Sequence, residues 1–169
     1  HFAATRSFWH ESLTEDTAEL GACVLRGLAA SEAPVLEILE LFSCVIADIR
    51  KDIRNNLGPR AIPELGRRDP QAVYSRLKDW AGRPEEFARW NVAKALATPL
   101  GGAYVEDAME LLEYMAADER PAVWRAVAAA VAQVAQRRPA YVLPMLKRWR
   151  GERSRLRCAE LVIEILSKR

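Results

Sequence analysis

Apolar residues recur along this chain at intervals of three and four, with almost no alternation of apolar and polar positions over the length of a strand. That periodicity predicts an all-α protein. Breaks in the pattern, most of them at proline or glycine, mark the helix ends. Ser12-x-x-Glu15 has the spacing of a capping box and opens a first helix to about residue 29, and Ser31 with Pro34 opens a second that runs past Ile49. Gly58-Pro59 should interrupt that second helix, because the residue before a proline resists helical angles; a short helix at about 60–67 then follows despite Pro63. Pro70, Pro84, Pro121 and Pro139 each open a further helix. Thr98-Pro99-Leu100-Gly101-Gly102 reads as a turn, and further helices are expected at about 104–116 and 153–166.

The chain also matches itself. Pro70-x-x-Val73-x-x-x-Leu77-x-x-Trp80 reappears 69 positions later as Pro139-x-x-Val142-x-x-x-Leu146-x-x-Trp149, and Tyr114 takes the Trp80 place at half that step. Ala88, Val92, Ala95 and Leu96 match Val123, Val127, Ala130 and Val131 at an offset of 35. A unit of about 34 to 35 residues holding two helices predicts a right-handed α-solenoid of about eight to ten helices, a fold defined by a binding surface more than by one chemistry. The expectation is a single domain over 1–169, less regular in 1–58 and clearest in 59–169.

Composition narrows the function. His1 and His10 are the only histidines, which excludes a histidine triad or a multi-histidine metal site in the body of the chain. Cys23, Cys44 and Cys158 lie far apart in apolar helical patterns, with no Cys-x-x-Cys pair, and read as buried free thiols of a reducing cytoplasm. No metal or cofactor is expected. No uncharged stretch approaches the roughly 20 residues of a membrane span. The start at His1, without an initiator Met, is consistent with a piece of a longer protein. Charge is graded: residues 1–47 hold seven acids against two bases, and from Gln136 onward there are ten bases against three acids. Such asymmetry steers an anionic partner to the C-terminal end, where Lys147, Arg148 and Arg150 cluster, or keeps the ends of a solenoid soluble.

No phosphate-binding glycine loop, nucleophile elbow or zinc-protease motif occurs. Glu85 and Glu86 follow Pro84, and Glu106 and Asp107 also open a helix, where carboxylates complement the helix dipole. The sharper candidates are Arg89-Trp90 and Trp124-Arg125, one unit apart with the residue types exchanged. If they face the groove, the indoles can stack on a base or a partner side chain and the arginines can meet phosphates. If they face inward, the indoles fill space between units and the arginines pair with acids. Trp80 and Trp149 are expected to be packing residues.

The stretch from Leu111 to Ala128, with Leu111-Leu112, the Asp118-led turn and Val123-Trp124-Arg125-Ala126-Val127, resembles a HEAT repeat, and Leu143-Pro144-Met145-Leu146 resembles the proline-bent leading helix of that family. Arg89 and Arg157 fit the arginine usual in the second helix, whereas Trp124 displaces it to Arg125; the inter-turn aspartate is present at Asp118 and missing around Gly82-Arg83. The repeat, joined to the lack of a catalytic constellation, points to a non-catalytic module binding a protein or the backbone of a nucleic acid, DNA included, across a concave helical face; its oligomeric state is left open, with a monomer favoured over a larger assembly. A narrower likeness, from Asp118 to Trp149, is to the HEAT-like bacterial DNA alkylation-repair glycosylases. It implies an alternative in which Trp90 and Trp124 share a cleft and Asp118 or Glu86 stabilises the sugar cation, although no single position inherits the carboxylate. Ile163 and Ile165 could instead pack on a next unit or on a second copy.

Overall fold

The computed structural model describes residues 17–168, and among these every regular element is helical. The chain forms two compact units that divide at Asn91 and Val92. The first contains α1 (Ala18–Ala30), α2 (Val35–Val45), α3 (Lys51–Asn56), a π-helical segment (Leu57–Ala61), α4 (Ile62–Arg68), α5 (Pro70–Ala81) and the start of α6 (Glu86–Leu96). The second contains the rest of α6, α7 (Pro99–Ala103), α8 (Val105–Met115), α9 (Pro121–Arg137), α10 (Pro139–Trp149) and α11 (Leu156–Ser167). The capping box Ser12-x-x-Glu15 lies outside the described residues.

In the first unit, α1 buries Ala18, Gly21, Ala22, Leu25 and Ala29 at helical spacing against α3, the π segment and α4. On the other side α2 packs on α5, with Ile38, Leu39, Phe42 and Val45 inward. Asp69 caps α5 by accepting the Ala72 N–H at 3.0 Å, and Pro70 supplies the first helical residue. The second helix stops at Val45, well short of the expected passage beyond Ile49. Asp48 is the reason: its carboxylate takes the Arg50 N–H at 2.8 Å and its guanidinium as well, which fixes a turn before α3.

Gly58-Pro59 does not break the helical course as expected. The chain widens into a π turn, and Asn91 from α6 ties the Gly58 N–H of that turn to the end of α2. Asn91 is fully buried; its Oδ1 accepts the Gly58 N–H at 3.1 Å and its Nδ2 donates to the Ile46 carbonyl at 2.8 Å. Glycine is required there, because a Cβ at position 58 would sit 2.8 Å from the Asn91 carbonyl and side-chain oxygens.

The second unit is built around α9, which packs on α7, α8, α10 and α11. Alanine and valine suit that position: Val123, Ala126, Val127, Ala130, Val131 and Val134 are all buried, and their small side chains let neighbouring helices approach. The expected turn at 98–102 is the short helix α7, capped by Thr98 Oγ1 accepting the Leu100 N–H at 3.3 Å. A Cβ on Gly101 would lie 2.1 Å from the Leu96 carbonyl oxygen, so the reversal after α6 is closed to other residues. The last helix begins at Leu156, three residues later than expected, after a turn in which the Glu152 carbonyl accepts the Arg155 and Leu156 N–H groups.

Asn91→Ala would leave the Gly58 N–H and the Ile46 carbonyl buried and unpaired, and is expected to lower stability by about 2 to 4 kcal/mol. Urea denaturation of the variant, followed by far-ultraviolet circular dichroism, measures this; a loss below about 0.5 kcal/mol would remove Asn91 from the role given to it.

Candidate functional site

The candidate residues fall into three places. In the first unit, Arg89 and Trp90 lie on α6 and both are half-buried. Arg89 Nε donates to the Arg83 carbonyl at 2.8 Å, which ties its guanidinium to the turn between α5 and α6. Trp90 lies beside Phe87, and Arg54 from α3 reaches over both rings, 5.5 Å and 4.7 Å from their centroids. Glu86 stands in the first turn of α6.

In the second unit, Trp124 on α9 is half-buried with Arg125 at 5.2 Å and Arg157 of α11 at 5.6 Å from its centroid. The exchange of residue order has a visible consequence. Where Arg89 is turned onto a loop carbonyl, Arg125 is left exposed beside its own neighbour. Asp118 is 8% exposed and is held by Arg120, accepting its N–H and Nε at 2.9 Å each and its terminal nitrogen at 2.5 Å. Arg157 donates to the Asp118 carbonyl at 2.6 Å. An open groove of about 700 Å³ lies next to it, lined by Glu119, Arg153, Ser154, Arg157 and Glu160.

The third place is the C-terminal pair α10 and α11. Arg148 bonds Glu113 of α8 and lies near Glu152; the Glu113 hydrogen bond and both negative charges raise its pKa further. Lys147 and Arg150 are exposed and form the rim of a second groove, of about 430 Å³, whose floor is Leu143, Leu146, Ile163 and Leu166.

Two repeated devices escape a reading of the sequence alone. Asp48-x-Arg50 and Asp118-x-Arg120 stand 70 positions apart and form the same carboxylate–guanidinium staple at the same kind of turn. The Asp118 turn thus has a counterpart at Asp48, 70 positions earlier, and none at the intervening turn around Gly82-Arg83. Likewise Arg83 donates to the Ser43 carbonyl in one unit and Arg155 to the Glu113 carbonyl in the other. Asn91 and Arg54 carried no signal at the sequence level, since a single buried amide or a guanidinium under two rings has no periodic signature.

Trp80 and Trp149 are both fully buried, as expected for packing residues. Their environments differ: Trp80 Nε1 donates to Ser43 Oγ at 3.1 Å, while the buried Trp149 Nε1 has no partner among the described residues. The thiols depart from expectation, for Cys23 is exposed and Cys44 half-buried, because both lie off the apolar stripes of α1 and α2; Cys158 alone is buried. Burial pushes the Cys158 thiol up to about 12, only partly offset by Arg157. No three metal-ligating side chains converge among the described residues, and no described helix is long and apolar enough to cross a membrane. Comparisons with protein-family models, with curated proteins and with solved structures return no match to this chain.

Trp80→Phe should cost about 2 to 4 kcal/mol more than Trp149→Phe, since the former breaks a hydrogen bond and the latter removes an unpaired N–H; equal losses in denaturant midpoints would count against the difference. For Cys158 the raised pKa means the folded state keeps its proton where the unfolded thiol loses it. Stability is therefore full below about pH 9 and falls as the pH rises toward 12. Denaturation from pH 8 to 10.5 should show this alkaline decline flattened in Cys158→Ala, and native-state alkylation should label Cys23 first and Cys158 only on unfolding.

Proposed function

We propose that the chain is a non-catalytic, HEAT-like α-solenoid module that binds a protein partner. The observation that carries this reading is how the charged candidates are spent. Asp118 is taken by Arg120, Arg89 by a loop carbonyl and Arg148 by Glu113. Of the candidate cations without such a bond, Arg125 lies over the Trp124 ring, and Lys147 and Arg150 border an apolar floor rather than a polar track. A phosphate backbone needs a rail of unengaged cations, whereas an apolar groove with a charged rim suits a protein surface. The 70-residue recurrence of the staples supports the solenoid reading, because stacked helix pairs reuse the same turn contacts.

The glycosylase alternative needs a carboxylate free to face a cationic sugar; of its two candidates Asp118 is already engaged by a guanidinium, and Glu86 stands in the first turn of α6, where it complements the helix dipole. Two assays test the choice together. Titration of labelled duplex and single-stranded DNA and RNA into the purified chain is expected to give at most weak, non-specific binding, and methylated DNA is expected to release no base. Tight binding whose salt slope drops in the triple variant Lys147→Ala, Arg148→Ala, Arg150→Ala would overturn the protein-binding reading in favour of nucleic acid. Base release lost in Trp90→Ala or Trp124→Ala would overturn the non-catalytic one.

A further inference from the structure

The groove between α10 and α11 has a chemistry opposite to the comparable helix junctions inside the units. In the first unit, Glu40 on α2 meets Arg76 on α5; in the second, Glu113 on α8 meets Arg148 on α10. Each time the earlier helix supplies the acid and the later one the guanidinium. On α10 the groove is lined by Leu143, Lys147 and Arg150, all exposed and Leu143 52% so, with the buried Leu146 beneath them. Ile163, 40% exposed, and Leu166 on α11 complete the floor. What covers this groove must therefore bring apolar side chains and acids.

This chain carries such a surface on its first described helix. Leu20, Cys23, Val24 and Gly27 form a stripe on α1 that faces away from its buried side, with Leu20 67% and Val24 42% exposed. A Cβ added at Gly27 would meet nothing, so this side of α1 is uncovered there. Glu19 is exposed beside the stripe, and Glu32 and Glu37 are exposed on the segment that follows. Arg26, which contacts Cys23, is the single base in residues 17–47 and can face Glu160 of α11.

Building on the protein-binding reading, we infer that the partner for this groove is a second copy of the chain, joined head to tail. The α1 stripe of one copy lies on Leu143, Leu146, Ile163 and Leu166 of the next, with its acids toward Lys147 and Arg150. The two surfaces are different patches of the same molecule, so the contact is heterologous and each copy keeps one open end unless a ring closes. Both patches are modest, and a dissociation constant on the order of 0.1 mM is expected for an interface of that size.

Sedimentation velocity of the whole chain over a concentration series tests this. The expected result is a weight-average mass rising with concentration, less so at high salt because the rim is charged. Leu20→Asp and the double variant Leu143→Asp, Lys147→Glu each block one side, and each alone should sediment as a monomer. Mixed, they should give a one-to-one dimer and nothing larger, because one keeps its groove and the other its α1 stripe. All of these positions are exposed, and circular dichroism checks that helicity is kept.

A wild-type chain that stays monomeric to about 1 mM would overturn the inference while leaving binding to another protein standing. So would association insensitive to Leu20→Asp, which would assign the groove a different occupant or none. Nucleic-acid binding in the preceding assays would remove the reading on which the inference rests. The two failures are thus told apart.

Discussion

Short helices packed against one another have a shared difficulty: each ends in carbonyl groups with no helical partner, and packing withdraws those ends from water. In this protein arginine resolves it. Arg68 reaches from the end of α4 to the Ala29 and Ala33 carbonyls, Arg83 to Ser43, Arg138 to Gly102, Arg155 to Glu113 and Arg157 to Asp118. A guanidinium suits the task, because its long stem spans from one helix to the next and its fork serves more than one acceptor without losing its charge. Hydrogen bonds from a charged donor are worth about 1.5 to 3 kcal/mol when sheltered and less where water competes. Each bond also sets the axial position of one helix against its neighbour, so the register of the pairs follows from it.

This constraint changes what the basic residues mean. Counted along the chain, the arginines of the C-terminal third suggest a cationic surface. In place, many of them are structural donors whose charge is met by a carbonyl dipole or an acid. Asp48 with Arg50 and Asp118 with Arg120 extend the same logic to the turns, where a carboxylate holds an N–H and a guanidinium together. A side chain held in this way is poorly placed to leave for a phosphate. Lys147 and Arg150, exposed at the rim of their groove, stand beside leucines, and those surroundings bear on what they can recognise.

Helix content was legible because three-and-four spacing is a local property, and the repeat was legible where Val73, Leu77 and Trp80 return as Val142, Leu146 and Trp149. The failures share a cause. Gly58-Pro59 breaks an isolated helix, but Asn91, 33 residues away, supplies the missing partners and turns the break into a π segment. The end of α2 was placed too late because apolar spacing continues through Ile49, while Asp48 bends the backbone with its side chain. Arg89 and Trp124 could not be oriented from spacing, since both sit at the border of a helix face and a distant carbonyl or guanidinium decides. Long-range polar contacts, each made once, leave no period in a sequence.

The contrast between Trp80 and Trp149 shows how a repeat is edited. Offset by 70 from Ser43, which accepts the Trp80 N–H, stands Glu113, and Glu113 is engaged by Arg148 with its carboxylate and by Arg155 with its carbonyl. The arginine-to-carbonyl bond is common to both units, from Arg83 to Ser43 and from Arg155 to Glu113, so the second unit differs in having an ion pair with Arg148 where the first has an indole hydrogen bond. That exchange leaves Trp149 Nε1 buried without a partner, a cost of about 1 to 3 kcal/mol. Arginine contacts that set the register of α8, α10 and α11 offset it. The pair α10 and α11 is the one that bears the basic, apolar groove, and a groove can present its leucines and cations in a fixed pattern only if the helices beneath it do not slide. Holding those helices at the expense of one indole proton keeps the groove's leucines and cations in that fixed pattern.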